Sequence, residues 1–193
     1  MGTSVWSVAI SSDGNYIVAG KWNVGVNGVI YLFDKSSSTP LWNYTVGSCV
    51  WSVDISSDGN YIVAGSWDNT TYLFHKSSST PLWNYTTGNA IWSVAISSDG
   101  NYIAVVSEDK NFYFFETMNS TPIWSYETGM SYAYVAISSA GSYIIAGGDD
   151  LYLFGIEIPP ANDDISIPFG IYFLLFTVVA IISLLVIIRK IKF

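Results

Sequence analysis

Four imperfect copies of one segment dominate the chain, and a repeat of this kind constrains the fold before any single residue does. VWSVAISSDGNYIVAG begins at Val5, VWSVDISSDGNYIVAG at Val50, IWSVAISSDGNYIAVV at Ile91 and YAYVAISSAGSYIIAG at Tyr132. A second shared piece follows in each unit: YLFDKSSSTPLWNYTVG from Tyr31, YLFHKSSSTPLWNYTTG from Tyr72 and YFFETMNSTPIWSYETG from Tyr113. The fourth copy gives only YLFGIEIPP from Tyr152.

Each unit reads as four short strands. In the second unit Trp51–Ser56 alternates and is β-branched, and Ser57-Asp58-Gly59-Asn60 is a tight turn with Gly supplying positive φ. Tyr61–Gly65 is the next strand, Ser66–Thr70 a loop, Tyr72–His75 the third strand and Leu82–Thr86 the fourth. Four antiparallel strands in about 41 residues is the size of one β-propeller blade. The expected fold is therefore all-β. It has four blades, at about 5–47, 48–88, 89–129 and 130–158, the last lacking its outer strand.

GSWDNTTYLFH from Gly65, following VWSVDISSDGNYIVAG, resembles the WD40 repeat, and PLWNYTTG from Pro81 resembles the outer-strand piece of quinoprotein-type (PQQ-like) propeller repeats. The resemblance spans residues 5–155 and implies a propeller like those of prokaryotic, archaeal-type cell surfaces. The Gly-His dipeptide of WD40 repeats is absent, and Phe33, Phe74, Phe115 and Phe154 replace the strand-ending Trp. The Ser–His–Asp–Trp hydrogen-bond set of that family therefore cannot form.

Residues 165–188 (ISIPFGIYFLLFTVVAIISLLVII) carry no charge. The stretch from Pro168 to Ile188 would span roughly 31 Å as helix, the thickness of a bilayer core. The expectation is one transmembrane helix after a linker at 159–164. A basic cytoplasmic tail follows at 189–193 (Arg189, Lys190, Lys192), with the repeats outside. Export conflicts with Met1–Ser12, which lacks a basic region and a long apolar core. A longer exported protein or a tail-anchored cytosolic one are both open. Sequons at Asn43, Asn69, Asn84 and Asn119 favour export.

Residues 1–164 hold all 15 acids against 4 of the 7 bases, so nucleic acid is excluded as a partner. One His (His75) and one Cys (Cys49) support neither zinc nor a nucleophile–base pair. No catalytic residue, cofactor or metal site is expected. Asp13, Asp58 and Asp99 recur in Ser-Asp-Gly-Asn turns, one carboxylate each, which suits turn chemistry and not calcium.

The candidate binding face gathers Trp6, Trp51 and Trp92 at the starts of the first strands, with Ala133 in the fourth unit. The loops between second and third strands add Trp22, Trp67, Asp68, Glu108, Asp109, Asp149 and Asp150. Such a face suits protein or glycan ligands, against the plainer alternative that the strand-1 indoles fill the ring centre. Trp42, Trp83 and Trp124, beside Tyr44, Tyr85 and Tyr126, are expected to pack between blades. The leading function is a membrane-anchored, non-catalytic binding module. The alternatives are part of a quinoprotein-like oxidoreductase and a structural accessory that docks onto further blades. Four units with no strand-sharing clasp leave closure open: a small ring, an open arc, or two chains in an eight-blade ring.

Overall fold

A computed structural model describes residues 3–23, 27–131, 133–157 and 185–191. Blade 1 comprises β1 (Thr3–Ile10), β2 (Tyr16–Asn23), β3 (Val29–Asp34) and β4 (Trp42–Thr45). Blade 2 comprises β5 (Val50–Ile55), β6 (Tyr61–Ser66), β7 (Thr70–His75) and β8 (Trp83–Thr86). Blade 3 comprises β9 (Ile91–Ile96), β10 (Tyr102–Ser107), β11 (Asn111–Glu116) and β12 (Trp124–Glu127). Blade 4 comprises β13 (Tyr134–Ile137), β14 (Tyr143–Gly147), β15 (Leu151–Glu157) and β16 (Leu185–Ile191). Every sheet is an antiparallel meander.

Two expectations are corrected here. The fourth blade has its outer strand: β16 pairs with β15 from Leu151↔Ile191 to Glu157↔Leu185. Leu185–Ile188, expected in the transmembrane helix, and Arg189 and Lys190, expected in the tail, all lie in this strand. A β-branched run (Val186, Ile187, Ile188) beside an unpaired edge satisfies its backbone polar groups in the ladder as a helix would satisfy them internally. Residues 165–184 of the assigned helix and the linker at 159–164 lie outside the described residues. Among the described residues no helix is long and apolar enough to cross a membrane.

The second correction concerns closure. The four sheets are separate, each packs on the next in sequence, and the two outer faces of the series are exposed. The blades form an open arc and not a closed propeller.

Three core clusters fill the three junctions. In each, the front of one blade covers the rear of the blade before it. Phe74, Phe115 and Phe154 are wholly buried on the fronts of blades 2, 3 and 4. Each meets the outer-strand Trp of the preceding blade: Trp42–Phe74 at 5.2 Å, Trp83–Phe115 at 5.4 Å and Trp124–Phe154 at 5.3 Å between ring centroids. Trp42 Nε1 donates to the Lys76 carbonyl and Trp83 Nε1 to the Thr117 carbonyl, both in the following blade. The expected inter-blade role of these Trp residues is what the structure shows.

Strand 1 adds a polar stitch. The N–H of Val53, Val94 and Val135 donates to Ser7, Ser52 and Ser93 Oγ of the preceding blade, at 3.0, 3.1 and 3.2 Å. The Ser-Asp-Gly-Asn turns lock themselves. Ser56 Oγ donates to Asp58 Oδ1, the Asn60 N–H donates to the same oxygen, and Ser56 Oγ accepts the Tyr61 N–H. Gly59 sits at φ 69°, and a Cβ there would lie 2.5 Å from Tyr16 Cδ2 of blade 1. The turn is thus a packing surface as well as a bend.

Candidate functional site

The five predicted indoles converge. Trp6 lies 5.6 Å from Trp22 and 4.8 Å from Trp51. Trp51 stacks on Trp67 at 4.7 Å with an 18° interplanar angle and meets Trp92 edge-on at 4.9 Å. Trp67 closes the group against Trp92 at 5.7 Å. The first strands of blades 1 to 3 deliver one ring each, the end of β2 delivers Trp22, and the turn after β6 delivers Trp67. The cluster is continuous across blades 1 to 3 and ends at Ala133 in blade 4. It is not a sealed core, for Trp6 is 49% and Trp67 38% exposed.

The acids behave differently from the indoles. Asp68 Oδ2 accepts the Gly47 N–H of blade 1 at 2.7 Å and the Tyr72 hydroxyl at 2.9 Å. Its Oδ1 accepts the Thr70 N–H and closes the turn. Asp109 repeats this with the Gly88 N–H, the Tyr113 hydroxyl and the Asn111 N–H. Burial first, then the hydrogen bond to the carboxylate, pushes both the Tyr72 and Tyr113 phenols well above their ordinary range. Asp68 and Asp109 are therefore clamps between neighbouring blades, and an approaching ligand would have to compete with three donors. Glu108 is half-buried, and its N–H is bonded to the Ala90 carbonyl. Asp149 is exposed and Asp150 half-buried in the β14–β15 turn. Among the described residues no group of three or more His, Cys, Asp or Glu could hold a metal ion.

Sequence reasoning missed one acid. Asp54 occupies the strand-1 position that is Ala9, Ala95 and Ala136 in the other blades. Its carboxylate accepts the Ile55 N–H and, across the junction, the Ile96 N–H at 2.9 Å. Burial raises its pKa above the ordinary 3.8, and the two N–H donors only partly offset this. A single acid among three alanines at one repeat position was the available signal.

The sign of its effect on stability follows from linkage. In the window above 3.8 and below its raised value, folded Asp54 holds more proton than unfolded Asp54, so stability falls as pH rises. Asp54→Ala, the residue at this position in the other blades, carries no group to ionise, so its melting temperature is expected to gain on the parent's as pH rises above 3.8. Thermal melts across pH 3–7 check this, and a constant gap would refute it. The turn acids act below that window. Hydrogen bonds from Ser11 hold Asp13 low, and those from Ser56 and Ser97 hold Asp58 and Asp99 low against a burial penalty. Their contribution is present above 3.8 and is lost as pH falls through their folded values.

A repeat-built array of four-stranded antiparallel sheets with a half-exposed aromatic face defines the class of propeller-type repeat proteins. The family described as outer membrane protein assembly factor BamB matches residues 2–157, and the chain belongs to it. The match falls on the quinoprotein-type side of the resemblance. Membership makes the chain a non-catalytic scaffold module, so the oxidoreductase alternative is set aside. No curated protein matches the chain.

Proposed function

We propose that the chain is a protein-binding module working at a membrane or cell surface, with the indole face of Trp6, Trp22, Trp51, Trp67 and Trp92 as its contact surface. The supporting observation is the half-exposed, continuous cluster of five Trp rings at one end of the sheets. Trp is the residue type most often found to dominate binding energy in protein interfaces. The family's name refers to outer membrane protein assembly, which suits a protein partner and an extracytoplasmic site. The WD40-like piece, Trp67-Asp68, supports the face indirectly: Asp68 fixes the turn that holds Trp67 against Trp51.

A photoreactive aromatic at position 67 is expected to yield protein adducts in the native cell, whereas one at Asn84, on the outer strand, yields none. Trp67→Ala is expected to weaken the captured complex by about 2 kcal/mol, roughly thirty-fold. Surface glycans are the second reading, favoured by the exposed Trp6 ring, since aromatic faces also stack on sugars. Quenching of indole fluorescence by oligosaccharides without any protein adduct would select it. Neither signal would sink both.

A further inference from the structure

The three internal junctions use one set of paired contacts, and the two ends of the arc carry the unmatched halves of that same set. On the front of blade 1, Val8 is 65% exposed, whereas its equivalents Val53 and Val94 are 6% and 5% exposed under a preceding blade. Val5 and Ile10 are exposed where Val50, Ile91, Ile55 and Ile96 are buried. On the rear of blade 4, Tyr143 and Ile145 are exposed where Val63 and Ala104, the equivalents of Ile145, are buried.

The halves correspond contact by contact. The turn glycines Gly59, Gly100 and Gly141 press on Tyr16, Tyr61 and Tyr102 of the preceding blade, with an added Cβ falling 2.5, 3.0 and 2.3 Å from the ring. Gly14, the blade 1 equivalent, meets nothing within 4 Å, and Tyr143, the blade 4 ring of that series, is uncovered. Gly20 is filled by Val50 and Val53, and Gly65 by Ile91 and Val94. Gly147 meets only Leu151 of its own blade, while Val5 and Val8 lie bare at the other end. The backbone shows the same pairing. Ser12 N–H donates to the Ser57 carbonyl and Ser57 N–H to the Ser98 carbonyl; at the third junction the donor shifts one residue on, Asp99 N–H to the Ser139 carbonyl. Among the described residues the Ser12 carbonyl accepts no such bond.

We propose that a second copy of this chain covers these faces, the rear of blade 4 on one copy seating the front of blade 1 on the other. Both junctions form around a two-fold axis and give an eight-blade ring. A ring leaves no unmatched face, which one front-to-rear contact alone would. Blade 4 differs from the repeat at the stitch position, with Tyr134 in place of Ser and largely exposed. This junction thereby replaces one hydrogen bond with aromatic area, which distinguishes it from the internal three.

The test uses the full chain with Ser12→Cys and Ser139→Cys together. Ser12 and Ser57 Oγ lie 3.0 Å apart at the first internal junction, so the corresponding pair across copies is within reach of a disulfide. Oxidation is expected to give a covalent species of twice the 21.2 kDa chain, reversed by reductant. Each single variant and the parent, whose Cys49 is buried, should give none. Adding Val8→Glu, which leaves the internal junctions intact, should cut the yield about ten-fold by placing an unpaired charge in the contact. A disulfide within one chain, a ladder of higher multiples, or a single-chain mass with no cross-link would each overturn the proposal.

Discussion

Phe74→Ala is expected to destabilise the chain by about 3–5 kcal/mol, while Phe33→Ala, at the same repeat position, costs about 1 kcal/mol. Phe74 is wholly buried, ringed by Trp42 and Tyr44 of blade 1 at 5.2 Å and by Tyr72 of its own strand. Its removal leaves a cavity that sheets on both sides cannot collapse into. Phe33 has no blade in front of it. It is half-buried, stacks among the described residues on Tyr31 at 6.0 Å, and leaves a space that water can enter. Urea unfolding in dilute solution checks the pair. The midpoint should move far for Phe74→Ala and little for Phe33→Ala, with unchanged slope. Equal losses would mean that the front of blade 1 is covered in the isolated chain. Against a typical total of 5–15 kcal/mol, the larger loss approaches unfolding.

The second large effect is a packing clash. Gly65→Val places a Cβ 2.4 Å from Ile91 Cγ2 and 3.0 Å from Val94 Cγ1, so blades 2 and 3 must separate. The expected cost is about 3 kcal/mol, the upper end for overpacking. Gly147→Val meets only the flexible end of Leu151 at 3.3 Å, and it is expected to be neutral or slightly stabilising in a strand. Thermal melts of the two variants in dilute solution, where the single chain is compared, give the comparison, and a large loss for Gly147→Val there would refute the open rear face of the single chain. Blade 3 already carries Val106 at this position. It shares a core cluster with Ala133, which stands where blades 1 to 3 carry Trp. The larger residue on one blade and the smaller on the next keep the junction filled.

That pair shows what was legible in the sequence and what was not. The repeat interval, the strand count per unit and the turn glycines could be read because backbone periodicity and positive φ are local properties. The convergence of the indoles was also readable: equal repeat positions lie at equal places in neighbouring blades, so Trp6, Trp51 and Trp92 come together. The roles of Asp68 and Asp109 were hidden because their partners, Gly47 and Gly88, belong to the blade before, and a donor N–H has no residue code. The outer strand of blade 4 was hidden for a different reason. LVIIRKI is apolar and β-branched, and composition alone cannot distinguish a strand that finds an edge from the end of an apolar helix. Only the pairing with Leu151–Glu157 decides it.

That strand also sets an order of assembly. In blades 1 to 3 the outer strand comes from residues just downstream, as in Thr70↔Thr86. In blade 4, Leu151 must wait for Ile191. Contacts between distant residues form late, because chain entropy is lost before they return any stabilisation. Three sheets can therefore be complete while the fourth still lacks its outer strand, and β16, not the early hairpins, times the completion of the array.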